Sequence, residues 1–348
     1  MSKMKFTRRL DTGRLSEQDA KRYFSTVGLA TCALMGIYYV GTQILSLACL
    51  KYAPRLLDNP WVSNLLSIIP LYVMAFPIFW LILRQLPRDT VGSGPMGAKG
   101  WVGGLCVAFA LMMAGSYLSN ILTTFFGIML GYMPVNPVAE ATSGQAWWIN
   151  LIFVAILAPI LEELVFRKVL CDRLLPLGEG YTVVLSAAIF GLAHGNFFQF
   201  FYAFFLGAIF ALVYVKTGRI RYSMLYHAVI NLLGGVLAPW VLEKLDPLLE
   251  GDNYNALMDA FAAGNTELVA AVMAAYRIPL LLLFLYEALM IGFSIAGVVL
   301  LVKGWRKIRL QPGLLPPPEE GRVSNVLLNV GAASALTVFA VIFILSLL

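Results

Sequence analysis

Apolar runs of about twenty residues recur from one end of this chain to the other, and nothing else in it constrains the fold as strongly. A run of about 20 apolar residues crosses the hydrocarbon core of a bilayer as an α-helix. In lipid the backbone must satisfy its own polar groups, which leaves helices or closed barrels. The chain has 348 residues, 60% of them hydrophobic and 13% charged, where a water-soluble domain carries about 25% charge. The fold class expected is therefore all-α: a polytopic integral membrane protein of about nine transmembrane helices. The runs lie near 24–50, 61–83, 101–130, 146–170, 181–194, 197–215, 222–241, 278–302 and 326–348.

These runs divide the chain. Residues 1–23 read as a cytoplasmic tail, with a short amphipathic surface helix over 16–22. Residues 24–145 form the N-terminal membrane helices and 146–242 a central group. The polar stretch 243–275 is an extracytoplasmic excursion with short helices, and 276–348 holds the last membrane helices, joined by a basic, proline-rich linker. The run that follows residue 23 is too long for a signal-peptide core, so no cleavage is expected there.

The formal charge of +6 and pI near 9.1 raise the question of nucleic acid. Alternating the spans from a cytoplasmic N-terminus answers it. All but four of the 25 Lys and Arg (Lys51, Arg55, Lys244, Arg277) then face the cytoplasm, while the acids divide almost evenly. That is the positive-inside bias, and it accounts for the charge with lipid as the surrounding partner and no nucleic acid. The N-terminus is expected inside and the C-terminus outside. Cys32, Cys49, Cys106 and Cys171 show no CxxC spacing, so neither a metal cluster nor a disulfide framework is expected.

Three polar motifs interrupt the central runs. Glu162 and Glu163 sit together in the fourth, four residues before Arg167 in the case of Glu163. On a helix Glu163 and Arg167 share a face, while Glu162 is rotated by ~100° from Glu163. One carboxylate can be held by the arginine while the other points elsewhere. Pro159, three residues earlier, should kink this helix. The chain has two histidines. His194 closes the fifth run, four residues after Phe190. His227 opens the seventh, four residues before Asn231, on the same face. Each motif alone has a structural reading, as an ion pair, a helix–helix hydrogen bond or packing. Their joint occurrence suggests one pocket. A shielded carboxylate can take a proton from water, a histidine can orient that water, and a second histidine with an asparagine can meet a developing oxyanion. Those parts suffice to hydrolyse an amide without a Ser or Cys nucleophile.

Glu162-Glu163-x-x-x-Arg167, Phe190-x-x-x-His194 and His227-x-x-x-Asn231 together resemble the CPBP family, the CAAX prenyl endopeptidases and bacteriocin-processing (Abi) proteins. The resemblance covers roughly residues 146–240. It implies an intramembrane glutamic endopeptidase with a conical catalytic core made of spans four to seven. Glu162 with His194 would activate water, His227 and Asn231 would stabilise the oxyanion, and Glu163, Arg167 and Phe190 would support them. The substrate would be a peptide or protein segment reached from the membrane or the cytoplasm. No cofactor and no metal are expected, since the HExxH spacing is absent.

Counting from the nearest charges sets Glu162 and His227 ~7–9 Å into the membrane and His194 ~20 Å. The three meet only if helices tilt or if 174–184 does not simply ascend. The rival reading is a non-catalytic immunity or regulatory scaffold that binds a peptide or partner protein through the same pocket. A proton-coupled transporter is disfavoured by the lack of repeated halves.

Overall fold

The apolar runs fold as helices, most of them longer than the runs themselves. A computed structural model describes residues 4–6, 9, 13–89, 94–249 and 252–347. Of the tail expected over 1–23, residues 1–3, 7–8 and 10–12 thus lie outside the described residues. Among the described residues the main apolar helices are α1 Glu17–Tyr52, α2 Pro60–Leu83, α3 Ala98–Leu130, α4 Trp147–Leu177, α5 Glu179–Ala193, α6 Phe197–Thr217, α7 Ile220–Glu243, α8 Arg277–Gly304 and α9 Val330–Leu345. Seven of the apolar helices are long enough to cross a bilayer, whereas α5 and α9 have 15 and 16 residues. No β-strand occurs among the described residues. The surface helix expected over 16–22 is instead the first turns of α1, capped by Ser16, whose hydroxyl accepts the Asp19 N–H at 3.1 Å.

Small residues set how closely the helices approach, as packing in lipid requires. A Cβ on Gly331 of α9 would lie 1.9 Å from the Ser25 carbonyl oxygen of α1. One on Gly297 of α8 would lie 2.0 Å from that of Cys106 in α3. The two largest apolar clusters lie side by side. One joins α1, α2, α4 and α5 around Tyr23, Phe79, Phe166 and Phe190. The other joins α3, α6, α7 and α8 around Phe109, Phe210 and Tyr226. Phe190 and Phe210 face each other across the seam, with ring centroids 6.5 Å apart. At the basic end of the molecule the linker after α8 passes beneath the α4–α5 turn. There the Glu179 N–H donates to the Gln311 carbonyl at 3.0 Å and the Leu315 N–H to that of Pro176 at 2.6 Å.

Three helices share one arrangement around an interior proline. A π-helical segment ends just before Pro77 in α2, Pro159 in α4 and Pro239 in α7. In each, the residue preceding the proline donates to the carbonyl five residues back: Phe76 to Leu71, Ala158 to Phe153 and Ala238 to Leu233. Proline has no N–H and its ring crowds the preceding turn. The wider turn relieves that crowding and leaves one more carbonyl without a helical donor. In α4 the register makes this the carbonyl of Val154, and the Asn231 amide nitrogen of α7 donates to it at 2.9 Å. The proline and the asparagine are therefore complementary, and they fix α7 to α4 about two turns before the two glutamates.

This coupling is measurable. Asn231→Ala should cost about 1–3 kcal/mol of stability by orphaning a sheltered carbonyl. In a Pro159→Ala background, which restores an N–H, the same change should cost clearly less. Equal losses in both backgrounds, read by unfolding in detergent, would contradict the assignment.

Candidate active site

Glu162 and Glu163 fall on the last α-helical turn before a second π segment of α4, Leu164–Cys171. Glu163 turns inward and is fully buried, as is Arg167. The Arg167 Nε donates to Glu163 Oε2 at 3.1 Å, and its Nη1 donates to Ser186 Oγ of α5 at 2.5 Å. The guanidinium also lies 4.9 Å from the centre of the Phe190 ring and 5.8 Å from that of Phe210. A cation between aromatic faces in a dry interior gains from both. The arginine thus sits where the two cores meet, held by one acid, one hydroxyl and two rings.

His227 bridges the two carboxylates. Its Nδ1 is 3.3 Å from Glu163 Oε1 and its Nε2 is 3.8 Å from Glu162 Oε2. A carboxylate is an acceptor, so the nearer nitrogen, Nδ1, carries a proton, and Nε2 faces Glu162. With the imidazole neutral, the group of Glu162, Glu163, Arg167 and His227 carries one excess negative charge; an imidazolium would cancel it. Phe190 and Phe210 flank the ring at centroid distances of 5.8 and 5.3 Å. The Glu162 side chain is 23% exposed, against 6% for His227, so Glu162 is the member of this set that reaches open space. Its Oε2 has no hydrogen-bond partner.

That space is a cavity of about 190 Å³ lined by Glu162, Val165 and Phe166 of α4, Ala193 and His194 at the end of α5, Gln199 of α6, and Leu34, Met35, Tyr38, Leu71 and Tyr72 of α1 and α2. His194 is held by its own helix: Nδ1 lies 2.8 Å from the Phe190 carbonyl. The tight link to α6 adds to this, since Gly195 takes a positive φ of 68° and the Asn196 amide donates to the His194 carbonyl at 2.7 Å. With Nδ1 protonated against a carbonyl, Nε2 is left as an acceptor.

The structure thus gathers Glu162, Glu163, Arg167, Phe190 and His227 in contact, and places His194 on the same cavity as Glu162. Neither His227 nor Asn231 is among the residues lining this cavity; Asn231 is turned to the Val154 carbonyl. The mismatch in depth disappears because α4 does not end near Leu170 but runs to Leu177. Glu162 and His194 then lie ~22–24 Å from the turn at Gly178 along two antiparallel helices, at 1.5 Å per residue. Ser186, Phe210, Tyr38, Tyr72 and Gln199 were not singled out by motif. Ser186 does have a signal, being one helical turn before Phe190 on the face of α5 that meets Arg167; the cavity wall from α1 and α2 has none. Among the described residues no group of three His, Cys, Asp or Glu converges as a metal ion requires, and all four cysteines are free.

Comparison with known proteins meets this geometry at the same segment. Residues 144–233, which hold all three motifs, match the model of the type II CAAX prenyl endopeptidase Rce1-like family. The chain is 29% identical over 167 residues to the putative membrane peptidase YdiL of Bacillus subtilis (strain 168), covering 46% of this chain and 66% of that protein. It is 37% identical over 151 residues to the membrane-embedded CAAX protease MroQ of Staphylococcus aureus (strain USA300), covering 40% of this chain and 60% of that one. The chain therefore spans less than two thirds of the length of either relative. No solved structure matches. The α4–α7 segment, which carries all three motifs, is thus the part of the chain that is similar to membrane CAAX proteases.

Proposed function

We propose that the protein hydrolyses a peptide bond of a membrane-associated or peptide substrate with a water activated by Glu162, without a metal. The observation that carries this reading is the cavity that holds both Glu162 and His194. Each presents an acceptor to it: a carboxylate oxygen, and the His194 Nε2 left free because Nδ1 is engaged with the Phe190 carbonyl at 2.8 Å. A water between two acceptors gives one O–H to each and keeps its lone pairs for attack on a carbonyl carbon. Glu162 takes one proton as the new C–O bond forms. The amine leaves with that proton when the C–N bond breaks, so the carboxylate is regenerated.

His227, with Nδ1 directed to Glu163, presents Nε2 to Glu162 and can share the proton that Glu162 carries between the two steps. Glu163 and Arg167 hold His227 in register. Asn231 acts as a positioning residue, joining α7 to Val154 of α4 about two turns before Glu162. The basic end, with the α4–α5 turn and the linker after α8, is placed in the cytoplasm on its charge bias.

The decisive comparison is terminal-peptide profiling of membranes that contain the wild-type protein or Glu162→Gln at matched expression. New termini should appear with the wild type alone, and the turnover of the peptides they identify should fall by about 10²–10⁴ in the variant. Identical profiles with an intact phenotype would overturn the peptidase reading and favour a binding scaffold.

The ion pair should behave differently from the base. Arg167→Met leaves a buried carboxylate without its cation and should cost about 3–5 kcal/mol, read as loss of folded protein in detergent. Adding Glu163→Gln should restore much of that stability, because the uncompensated charge is gone. A single Arg167→Met that is as stable as wild type would show that the pair does not organise the site.

A further inference from the structure

We propose that the lipid-facing side of α3 and α8 binds a second copy of this chain, with Glu287 of each copy hydrogen-bonded to Asn120 of the other. The proposal is independent of the peptidase reading. It starts from a carboxyl group in the middle of a spanning helix, on a side where the single chain gives it no partner.

Between Arg277 and Lys303, α8 carries no charged residue except Glu287. Glu287 lies ten residues beyond Arg277, ~15 Å at 1.5 Å per residue, near the middle of a hydrocarbon core about 30 Å thick. α8 is the least buried of the seven long helices, with 11% of its apolar stretch enclosed. Its inner face, Tyr286, Met290 and Phe293, belongs to the core shared with α3 and α7. Glu287 lies off that face and is exposed. It makes no hydrogen bond or ion pair among the described residues. Phe284, Leu285 and Ile291 around it are exposed as well. An ionisable group at this depth is costly, and in membrane proteins it faces a partner or a water-filled cavity. Glu287 does not line the Glu162 cavity, so its partner is to be sought in the bilayer.

The neighbouring helix supplies the complement. Asn120 of α3 is exposed, and its side chain makes no hydrogen bond among the described residues. α3 and α8 run antiparallel and touch where a Cβ on Gly297 would lie 2.0 Å from the Cys106 carbonyl oxygen. Counted from that contact, Glu287 is level with Ser116, about one turn from Asn120. A carboxyl and a primary amide match each other. The amide N–H donates to a carboxyl oxygen, and a protonated carboxyl donates back to the amide oxygen. A two-fold interface makes every contact twice, so one rotation about an axis normal to the membrane satisfies both residues in both copies. A partner with a single donor would answer Glu287 and leave Asn120 unmet. The surface of α8 also permits a close approach. Ala288 and Gly292, one turn apart beside Glu287, are exposed, and a Cβ on Gly292 would meet nothing within 4 Å. Small residues let helix backbones draw together in lipid, and hydrogen bonds between helices then add specificity.

The test uses the full chain, labelled with a donor or an acceptor fluorophore and reconstituted in phosphatidylcholine liposomes at falling protein-to-lipid ratios. Energy transfer in the wild type should follow a monomer–dimer equilibrium. Glu287→Leu and Asn120→Leu should each raise the dissociation constant about tenfold or more, and the double variant should add little, since both remove the same pair. Glu287→Gln keeps an amide partner for Asn120 and should stay within about threefold of the wild type. Gly292→Ile fills space that is open in the single chain and should weaken the dimer without lowering the unfolding temperature. If Glu287→Leu fails to fold, Asn120→Leu and Gly292→Ile carry the same expectation. Energy transfer in the wild type no greater than random proximity gives overturns the proposal. Wild-type association in a folded Glu287→Leu protein overturns it too, as does a loss in Glu287→Leu that Asn120→Leu does not share.

Discussion

The structure depends on one buried charge pair. Glu163 and Arg167 are both fully enclosed, in a region of the chain that is otherwise apolar. Removing two ions from water costs several kcal/mol each, and their mutual attraction repays this only when the remaining donors and acceptors are also met. Here most of them are. Arg167 reaches Glu163, Ser186 and two aromatic faces, and Glu163 reaches Arg167 and His227. The pair therefore binds α4, α5, α6 and α7 to one another, since no single helix can satisfy it. One donor, the Arg167 Nη2, has no partner. Such a pair is a poor source of net stability and a strong source of geometric definition, because a misplaced helix would leave a bare charge behind. That definition is passed to His227, and through its Nε2 to Glu162.

The prolines act on the same helices by a different means. A proline in a spanning helix removes a backbone donor in a medium that offers no water to replace it. In α4 the resulting carbonyl becomes the anchor for Asn231, so the break is converted into a contact between helices. The π turns in α2 and α4 also shift which side chains face inward. Tyr72 lies within one of them and the two glutamates lie between the two π segments of α4. Two of these irregular segments, Ile69–Ala75 of α2 and Leu164–Cys171 of α4, supply side chains to the cavity wall.

This explains what was legible in the sequence and what was not. The spans were legible because apolar length is a local property. The inward turn of Glu163 and its pairing with Arg167 were legible because the partners are four residues apart on one helix. The meeting of Phe190, His194 and His227 with Glu162 followed from motifs and order. The depth of these residues did not follow, because counting from the charges nearest to Glu162 sets the edge of the membrane too early along α4. In the structure Lys168 reaches Asp172 at 3.0 Å and Arg173 donates to the Leu86 carbonyl at 2.5 Å, so both are accommodated within a helix that continues to Leu177. The partner of Asn231 was also hidden, since it depends on a π register that a proline imposes on another helix. Tyr38 and Tyr72 stand in ordinary apolar runs, where a tyrosine reads as packing or as an interface residue.

The cavity therefore has two walls of different origin. One, from α4 to α6, holds Glu162 and His194 and lies in the segment matched by the family. The other, from α1 and α2, is apolar apart from its two phenols. Hydrolysis in a membrane requires that water be held where the bulk medium excludes it, and that a peptide bond reach it. A wall of carboxylate and imidazole holds water through acceptors. On the peptidase reading proposed above, the matched segment would supply the base, and the wall from α1 and α2 would stand opposite it across the cavity.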